Sequence, residues 1–474
     1  MLQNWFILLP EICLILFFPL SYLIELFFKE KTAKTFFMLS QVCLGLSMAF
    51  SIVFYNKSAF PDFWQKTPMN TLFSTMSFII AWAWLYLSSK WFLVKNRSSF
   101  KFYTDCMALL LGFDILVSAS SIITYLVATI WILFFTHNLI LRHWSAEKVR
   151  KPSRIYAFYA VLFVLLLLGA TAIIYSQVES FSYLNIREFY ANKLNVNLLS
   201  CIAVLVIISS LFFLTAMVPF HYWFLAVAEN CVLPVFGFIA LVPALIYVNV
   251  LINMMIKCFP QFNNFILPVL TAFAAVSLIV GALSANYEKN LRCLTAFITI
   301  FCIGTTIIGL SDFSRTAITA SFAYILVAVL SLSGIFTVFL GMKSRSEFLS
   351  DLSSVSGFSK LRPYMSATLL VCIFSLIGLS PTVGFLGYLS IYSNFIEQES
   401  WRKIALIMIG NLFIAASGLK IIKTIYFEPL NNKYDRTDKA IYICLFIDMA
   451  LLLISLFKPS WLMRDILIIL GGMS

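Results

Sequence analysis

Residues 215 to 230 read TAMVPFHYWFLAVAEN and close an apolar run that begins near Asn195. A run of this length predicts a membrane-crossing helix, but Pro219 removes a backbone donor and interrupts the helix close to its end. His221 and Glu229 follow within a few residues, and an ionisable group is costly at membrane depth. The combination indicates either a helix broken for a functional purpose or one of the proline kinks that are common in membrane helices.

The whole chain has the composition of a membrane protein. Of its 474 residues, 61% are hydrophobic and 11% are charged, whereas a soluble protein is typically about one-quarter charged. The mean hydropathy is +0.95. We predict an all-α polytopic membrane protein with about 14 transmembrane helices. The apolar segments are 5–28, 35–55, 70–88, 102–120, 121–142, 156–177, 195–219, 232–256, 264–284, 293–311, 318–341, 364–396, 403–427 and 440–457.

Lys and Arg residues are concentrated in every second loop between the predicted helices. One set of alternate loops holds 21 of the 33 Lys and Arg residues, and the other set, with both tails, holds 10. Such a bias places the rich loops on the cytoplasmic or matrix side of the membrane. We therefore expect both termini on the periplasmic or intermembrane side. The net charge of +12 reports this orientation, and it does not indicate a nucleic-acid partner.

No sequence motif indicates a cofactor or a metal site. The ten cysteines are scattered, mostly within apolar segments and without a C-x-x-C pair, which favours buried free thiols over a disulfide or a metal ligand. Neither a G-x-G-x-x-G motif nor a P-loop is present, and no His, Cys and carboxylate cluster has metal-ligand spacing. We predict no catalytic site and no cofactor in this chain.

A second apolar segment is also interrupted, in the stretch IGLSPTVGFLGY that contains Pro381 and Gly384. The interrupted segments are the seventh and the twelfth. Because successive membrane helices run in opposite directions, an odd offset of five gives the two segments opposite orientations in the membrane. Inverted repeats with paired broken helices are typical of transporters, although two unrelated kinks remain the alternative. We predict an N-terminal region at 1–101 (helices 1–3), repeats at 102–256 (helices 4–8) and 264–427 (helices 9–13), and helix 14 with the tail at 428–474.

Six ionisable side chains at or near membrane depth are candidates for a proton or ion pathway. They are Asp114, His221, Glu229, Lys420, Lys423 and Asp448. Each costs roughly 2.5–3.5 kcal/mol to insert unless it is paired or hydrated. The lysines have the alternative of snorkelling towards an interface, and Asp448 that of fixing helix packing. Glu11 and Glu25 fit an anchoring role in the first segment and argue against a cleaved signal peptide.

Several stretches resemble one family in sequence order. FFLTAMVPFHYWFLAVAE, residues 212–229, resembles the seventh-helix motif of the antiporter-like subunits of respiratory NADH:quinone oxidoreductase and of Mrp cation/proton antiporters. LLPEICLILFF, EKNLRCLTAFITI, IGLSPTVGFLGY and SGLKIIKTIYF are similar to the first helix, the loop and helix near residue 290, and helices twelve and thirteen of that family. The similarity is greatest to the chain N type.

The sequence departs from the family at its central lysines. The lysine expected five residues before Pro219 is Leu214, the one expected after the helix-eight proline is Ala244, and the helix-twelve lysine is Tyr388. The family's fifth-helix glutamate should fall near Ile130, and Asp114 is a substitute only if the alignment slips. Leucine and alanine do not titrate, and an unperturbed tyrosine titrates only near pH 10, so the usual proton relay is interrupted.

The resemblance implies a membrane subunit of a proton-translocating NADH:quinone oxidoreductase-type complex with an antiporter-like proton pathway, either intact or degenerate. It implies no redox chemistry in this chain, and NADH and quinone would act only through other subunits. Its expected partners are other membrane subunits, lipid, and protons or monovalent cations, in a bacterial cytoplasmic or mitochondrial inner membrane. Two alternatives stay open: a subunit of an Mrp-type antiporter, and a structural scaffold that transports no ion.

Overall fold

The computed structural model describes residues 7–27, 32–54, 62–95, 99–142, 146–192, 197–310, 312–344, 347–430 and 433–457. Within these ranges the chain is almost entirely helical, with one small β-hairpin. The all-α prediction is therefore confirmed. Every one of the fourteen predicted apolar segments overlaps a helix, and the segment at 364–396 divides into two.

The helices follow in chain order. The first ten are α1 Leu9–Phe27, α2 Thr32–Val53, α3 Pro68–Lys95, α4 Ser99–Val117, α5 Ile122–Arg142, α6 Ala146–Val178, α7 Tyr183–Ala191, α8 Leu198–Leu214, α9 Tyr222–Asn230 and α10 Leu233–Asn253. The remaining eight are α11 Asn263–Tyr287, α12 Leu291–Gly309, α13 Arg315–Gly341, α14 Phe358–Leu361, α15 Pro363–Ile377, α16 Val383–Glu397, α17 Trp401–Phe427 and α18 Lys439–Phe457. Short π and 3-10 turns lie at Met254–Cys258, Pro260–Phe262 and Leu352–Val355, and strands Lys343–Ser344 and Glu347–Phe348 pair antiparallel.

Ten helical spans in the described part of the chain are long and apolar enough to cross a membrane. This criterion uses length and composition alone, and the shorter apolar helices α8 and α15 fall below its length limit. Interruption by proline explains both short helices, because each ends a few residues before Pro219 or Pro381. The total of fourteen crossings therefore stays a prediction.

The chain divides into two compact units. The first comprises residues 1–214 and 230–266, and its centre is α10, which is buried along its whole length. α3 and α4 pack on α10. The Trp84 indole N–H donates to the Pro234 carbonyl oxygen at 2.8 Å, and a Cβ at Gly237 would overlap the Trp84 ring. Glycine is required there because the indole lies directly on the helix backbone.

The second unit comprises residues 215–229 and 267–474. Its centre is α13, which packs against α12, α15, α16 and α18. Both α12 and α13 are almost completely buried, whereas α17 presents large apolar side chains such as Leu412 on its outer surface. In each unit a buried central helix is thus surrounded by helices with one apolar outer face, the pattern of a helical membrane protein.

Candidate proton or ion pathway

The first helix break lies between α8 and α9. Residues 215–221 form turns, Ala216 has a left-handed φ of 56°, and the Val218–Pro219 peptide bond is cis. The Val218 N–H donates to Ser277 Oγ at 3.0 Å, and the Phe220 N–H donates to the Met217 carbonyl at 2.7 Å. A break at membrane depth must satisfy its backbone groups inside the protein or with water, and these two donors find protein acceptors.

The second break lies between α15 and α16, and its Ser380–Pro381 peptide bond is also cis. Gly378 ends α15 with a left-handed φ of 74°. The Leu379 N–H returns to the Phe374 carbonyl at 3.0 Å and the Gly378 N–H to the Ser375 carbonyl at 3.1 Å, which is the Schellman pattern of a helix end. A Cβ at Gly384 would overlap the Ser375 carbonyl oxygen, so the two half-helices meet only because residue 384 has no side chain.

Two of the three lost lysine positions are buried in the interior of the first unit. Leu214 is 7% exposed and Ala244 is 6% exposed. Phe213, beside Leu214, stacks on Phe163 with ring centroids 5.0 Å apart, and Tyr156 lies 5.6 Å from the same ring. Burying an unpaired charge among apolar and aromatic side chains costs much free energy. Neither position offers a group that carries a proton.

Tyr388, at the third lost position, closes the end of the broken helix. Its hydroxyl lies 3.1 Å from the Tyr324 hydroxyl and donates to the Leu376 carbonyl at 3.2 Å. Asn411 Nδ2 donates to the next carbonyl, that of Ile377, at 2.7 Å. Carbonyls in the last turn of a helix have no partner within the helix. Tyr388 and Asn411 satisfy two of them, which gives the tyrosine a structural role.

The remaining predicted candidates are not gathered in one place. Lys420 Nζ donates to the Asn286 carbonyl at 3.3 Å, and Asp448 Oδ1 accepts from Ser333 Oγ at 3.4 Å. Lys423 is exposed on α17. In the first break, His221 is half-buried, and Glu229 is exposed at the end of α9. The contacts of Lys420 and Asp448 join each of them to a different neighbouring helix.

Asp114, by contrast, belongs to a buried cluster of charged groups. Its side chain is completely buried on α4, and Lys66 Nζ lies 3.4 Å from Asp114 Oδ2 and 2.7 Å from Glu11 Oε1. The Ser74 hydroxyl donates to Asp114 Oδ1 at 2.7 Å. Lys66 is 2% exposed and Glu11 is 6% exposed. An ion pair excluded from water to this degree costs about 3–5 kcal/mol to break by removal of one partner.

A polar stripe on α3 extends from this cluster to α10. Asn70 and Ser74 lie four residues apart on one face of α3, and Lys66 lies in the segment just before this helix. Asn70 Oδ1 accepts from Asn249 Nδ2 at 3.0 Å and from Asn253 Nδ2 at 2.8 Å. The stripe thus places the cluster next to polar groups on the helix that carries Ala244 in place of the family lysine.

The sequence analysis did not identify Lys66 as a site residue. It lies in WQKTPMN, between the second and third apolar segments, where a lysine is ordinarily a loop residue. Glu11 was assigned an anchoring role. The spacing of Asn70 and Ser74 is the signal that the sequence contains, because polar residues on one face of an apolar helix indicate a buried polar contact.

Comparison with known proteins places the chain in a family. Residues 119–414 match the family described as NADH:quinone oxidoreductase/Mrp antiporter, TM. A protein of Pelagibacter ubique named NADH-quinone oxidoreductase subunit N is 31% identical over 251 residues, an alignment that spans 53% of each chain. A protein of Rhodospirillum rubrum with the same name is 23% identical over 364 residues, 76% of this chain and 74% of the relative.

Solved structures share the whole fold. A chain of respiratory complex I from Thermus thermophilus superposes on this chain with a TM-score of 0.80 at 20% sequence identity. The superposition covers 96% of this chain and 98% of the complex I chain. A chain of the Mrp complex from Dietzia has a TM-score of 0.85 at 15% identity, with 99% and 97% covered. At these identities the likeness shows the fold, and the matched region, which contains both helix breaks, shows the family. The chain belongs to the NADH:quinone oxidoreductase/Mrp antiporter family of transmembrane subunits.

Proposed function

We propose that this chain is the N-type membrane subunit of a proton-translocating NADH:quinone oxidoreductase-type complex. The observation that carries the proposal is the similarity to relatives named NADH-quinone oxidoreductase subunit N, which extends over three quarters of the chain in the Rhodospirillum rubrum protein. The Mrp alternative has the same fold, but the spacing from Trp223 to Glu229 and the similarity to relatives named subunit N favour the N type. NADH oxidation and quinone reduction would then occur in other subunits.

Isolation of the assembly tests this proposal. An affinity-tagged chain, extracted from its native membrane in mild detergent, should co-purify with the subunits that carry the redox centres. A tagged, unrelated polytopic protein of the same membrane is the control. Recovery with antiporter subunits alone, and no redox subunit, would contradict the proposal and favour the Mrp-type alternative.

We further propose that the family's usual lysine relay does not operate here. Leu214 and Ala244 carry no titratable group, and the Tyr388 hydroxyl is engaged with Tyr324 and the end of α15. Under this proposal the two repeats at 102–256 and 264–427 keep their broken helices as a scaffold, and any proton route runs through other groups. His221, Glu229, Lys420, Lys423 and Asp448 remain candidates for such a route, as does Asp114.

The Tyr388→Phe variant separates a structural role from a relay role. It leaves the Leu376 carbonyl without its donor, so we expect the free energy of unfolding to fall by about 1–3 kcal/mol, measured by thermal unfolding of the purified complex. Proton flux in liposomes should stay within about twofold. Tyr392→Phe, one turn later on α16, is the matched control. If Tyr388 relayed protons, its loss would reduce the flux by about a hundredfold or more.

We also propose that both chain termini face the periplasmic or intermembrane side. The support is the loop asymmetry, with 21 Lys and Arg in one set of alternate loops and 10 in the other, because positive residues in short loops set orientation. A cysteine added at the N-terminus should react with an impermeant thiol reagent in intact cells or mitoplasts. A cysteine in the 343–362 loop should react only after permeabilisation. The reversed pattern would contradict the proposed orientation.

A further inference from the structure

The cluster of Glu11, Lys66 and Asp114 has an unequal number of charges. α1 and α4 each contribute a carboxyl group, and the turn before α3 contributes a single ammonium. All three side chains are more than nine-tenths buried. With both carboxyl groups ionised, the cluster would carry one uncompensated negative charge away from water, which is strongly unfavourable.

The neighbouring helices supply no balancing charge among the described residues. Ser47 and Cys43 approach from α2, Asn249 and Asn253 from α10, and Cys13 lies on α1 itself. α4 also carries Asp105, which has the same sign as the excess charge, and Lys101, which is exposed and lies 13 residues before Asp114. The single positive charge of Lys66 can neutralise only one of the two carboxylates. The second negative charge must therefore be removed by a proton on one of the carboxyl groups.

The two carboxyl groups share one ammonium group. Lys66 Nζ lies 2.7 Å from Glu11 Oε1 and 3.4 Å from Asp114 Oδ2, so both carboxyl groups are held beside the same buried cation. An ionised carboxylate only accepts hydrogen bonds, so neither group can offset the charge of the other unless one of them carries a proton. Like charges this close do not both remain ionised, which is the situation of a carboxyl dyad that shares one proton.

We infer that the Glu11, Lys66 and Asp114 cluster is a proton-binding site that holds a single proton between its two carboxyl groups. The proton attaches to a carboxyl oxygen of the pair, which makes the cluster electrically neutral, and its release leaves one net negative charge stabilised by Lys66. Ser74 donates only to Asp114, so the environment favours Asp114 as the ionised member and Glu11 as the protonated one.

Polar groups beside the cluster offer a path for the exchange of this proton. Asn70 accepts hydrogen bonds from both Asn249 and Asn253. In the described part of the chain, the side-chain oxygens of these two α10 residues are buried and accept no hydrogen bond from protein. Buried oxygens of this kind are ordinarily satisfied by water. The site is independent of the assembly in which the chain works, because it is made only of residues of the first unit.

Infrared spectroscopy of the full-length protein in lipid tests the inference. At neutral pH the carbonyl region should contain a band of a protonated carboxylic acid that shifts in D2O. The band should disappear in Glu11→Gln and in Asp114→Asn, because each variant leaves a balanced pair of one acid with Lys66. Glu11→Gln should also retain the wild-type melting temperature, because it replaces the protonated member of the pair by a neutral side chain of similar size. Asp448→Asn, which changes a carboxyl group on α18, is the control and should leave this band unchanged.

Two results would overturn the inference. One is a wild-type spectrum without the band at neutral pH, which needs no variant to interpret and would mean that both carboxyl groups are ionised. The other is a band that appears only when Na⁺ and K⁺ are removed from the buffer, since the site would then bind a monovalent cation in preference to a proton. Loss of the band in Asp448→Asn with no change in Glu11→Gln would assign the proton elsewhere and would likewise contradict it.

Discussion

Every polar group that this chain carries to membrane depth has to find its partner in the protein or in water held inside it, because the hydrocarbon region of a bilayer supplies none. This constraint explains both helix breaks. At the first break, Ser277 receives the backbone donor of Val218. At the second, Tyr388 and Asn411 donate to the last carbonyls of α15. The same constraint requires Lys66 to lie between two acids.

The replacement of lysine by leucine, alanine and tyrosine follows from the same energetics. A lysine in a buried site needs a counter-charge or water. Leu214 and Ala244 are both buried, and Phe213, beside Leu214, stacks on Phe163. When no charge is required at these positions, well-packed apolar side chains are at least as stable there as a buried ion pair. At the third position, the Tyr388 hydroxyl forms hydrogen bonds where the family has a lysine ammonium. The scaffold with its two breaks therefore persists without the titrating groups that its relatives are expected to carry.

Sequence predicted the helical membrane architecture and the positions of both breaks, because hydropathy and proline act locally and their signals lie within one segment. It identified Asp114 as an expensive buried acid for the same reason. It did not predict that Lys66 and Glu11 are the partners of Asp114, which lie 48 and 103 residues earlier in the chain. A lysine before a helix resembles a loop residue until the packing of α1, α3 and α4 buries it. Partner choice depends on tertiary packing, which no local pattern contains.

The central claim is that no water reaches Leu214 and Ala244, and that water reaches instead the polar groups beside Glu11, Lys66 and Asp114. A cryo-electron microscopy map of the native assembly, at a resolution that shows ordered water, measures this directly. The account predicts water at the side-chain oxygens of Asn249 and Asn253, and none beside Leu214 or Ala244. A continuous file of water past Leu214 and Ala244, with no water near Asn249, would contradict it.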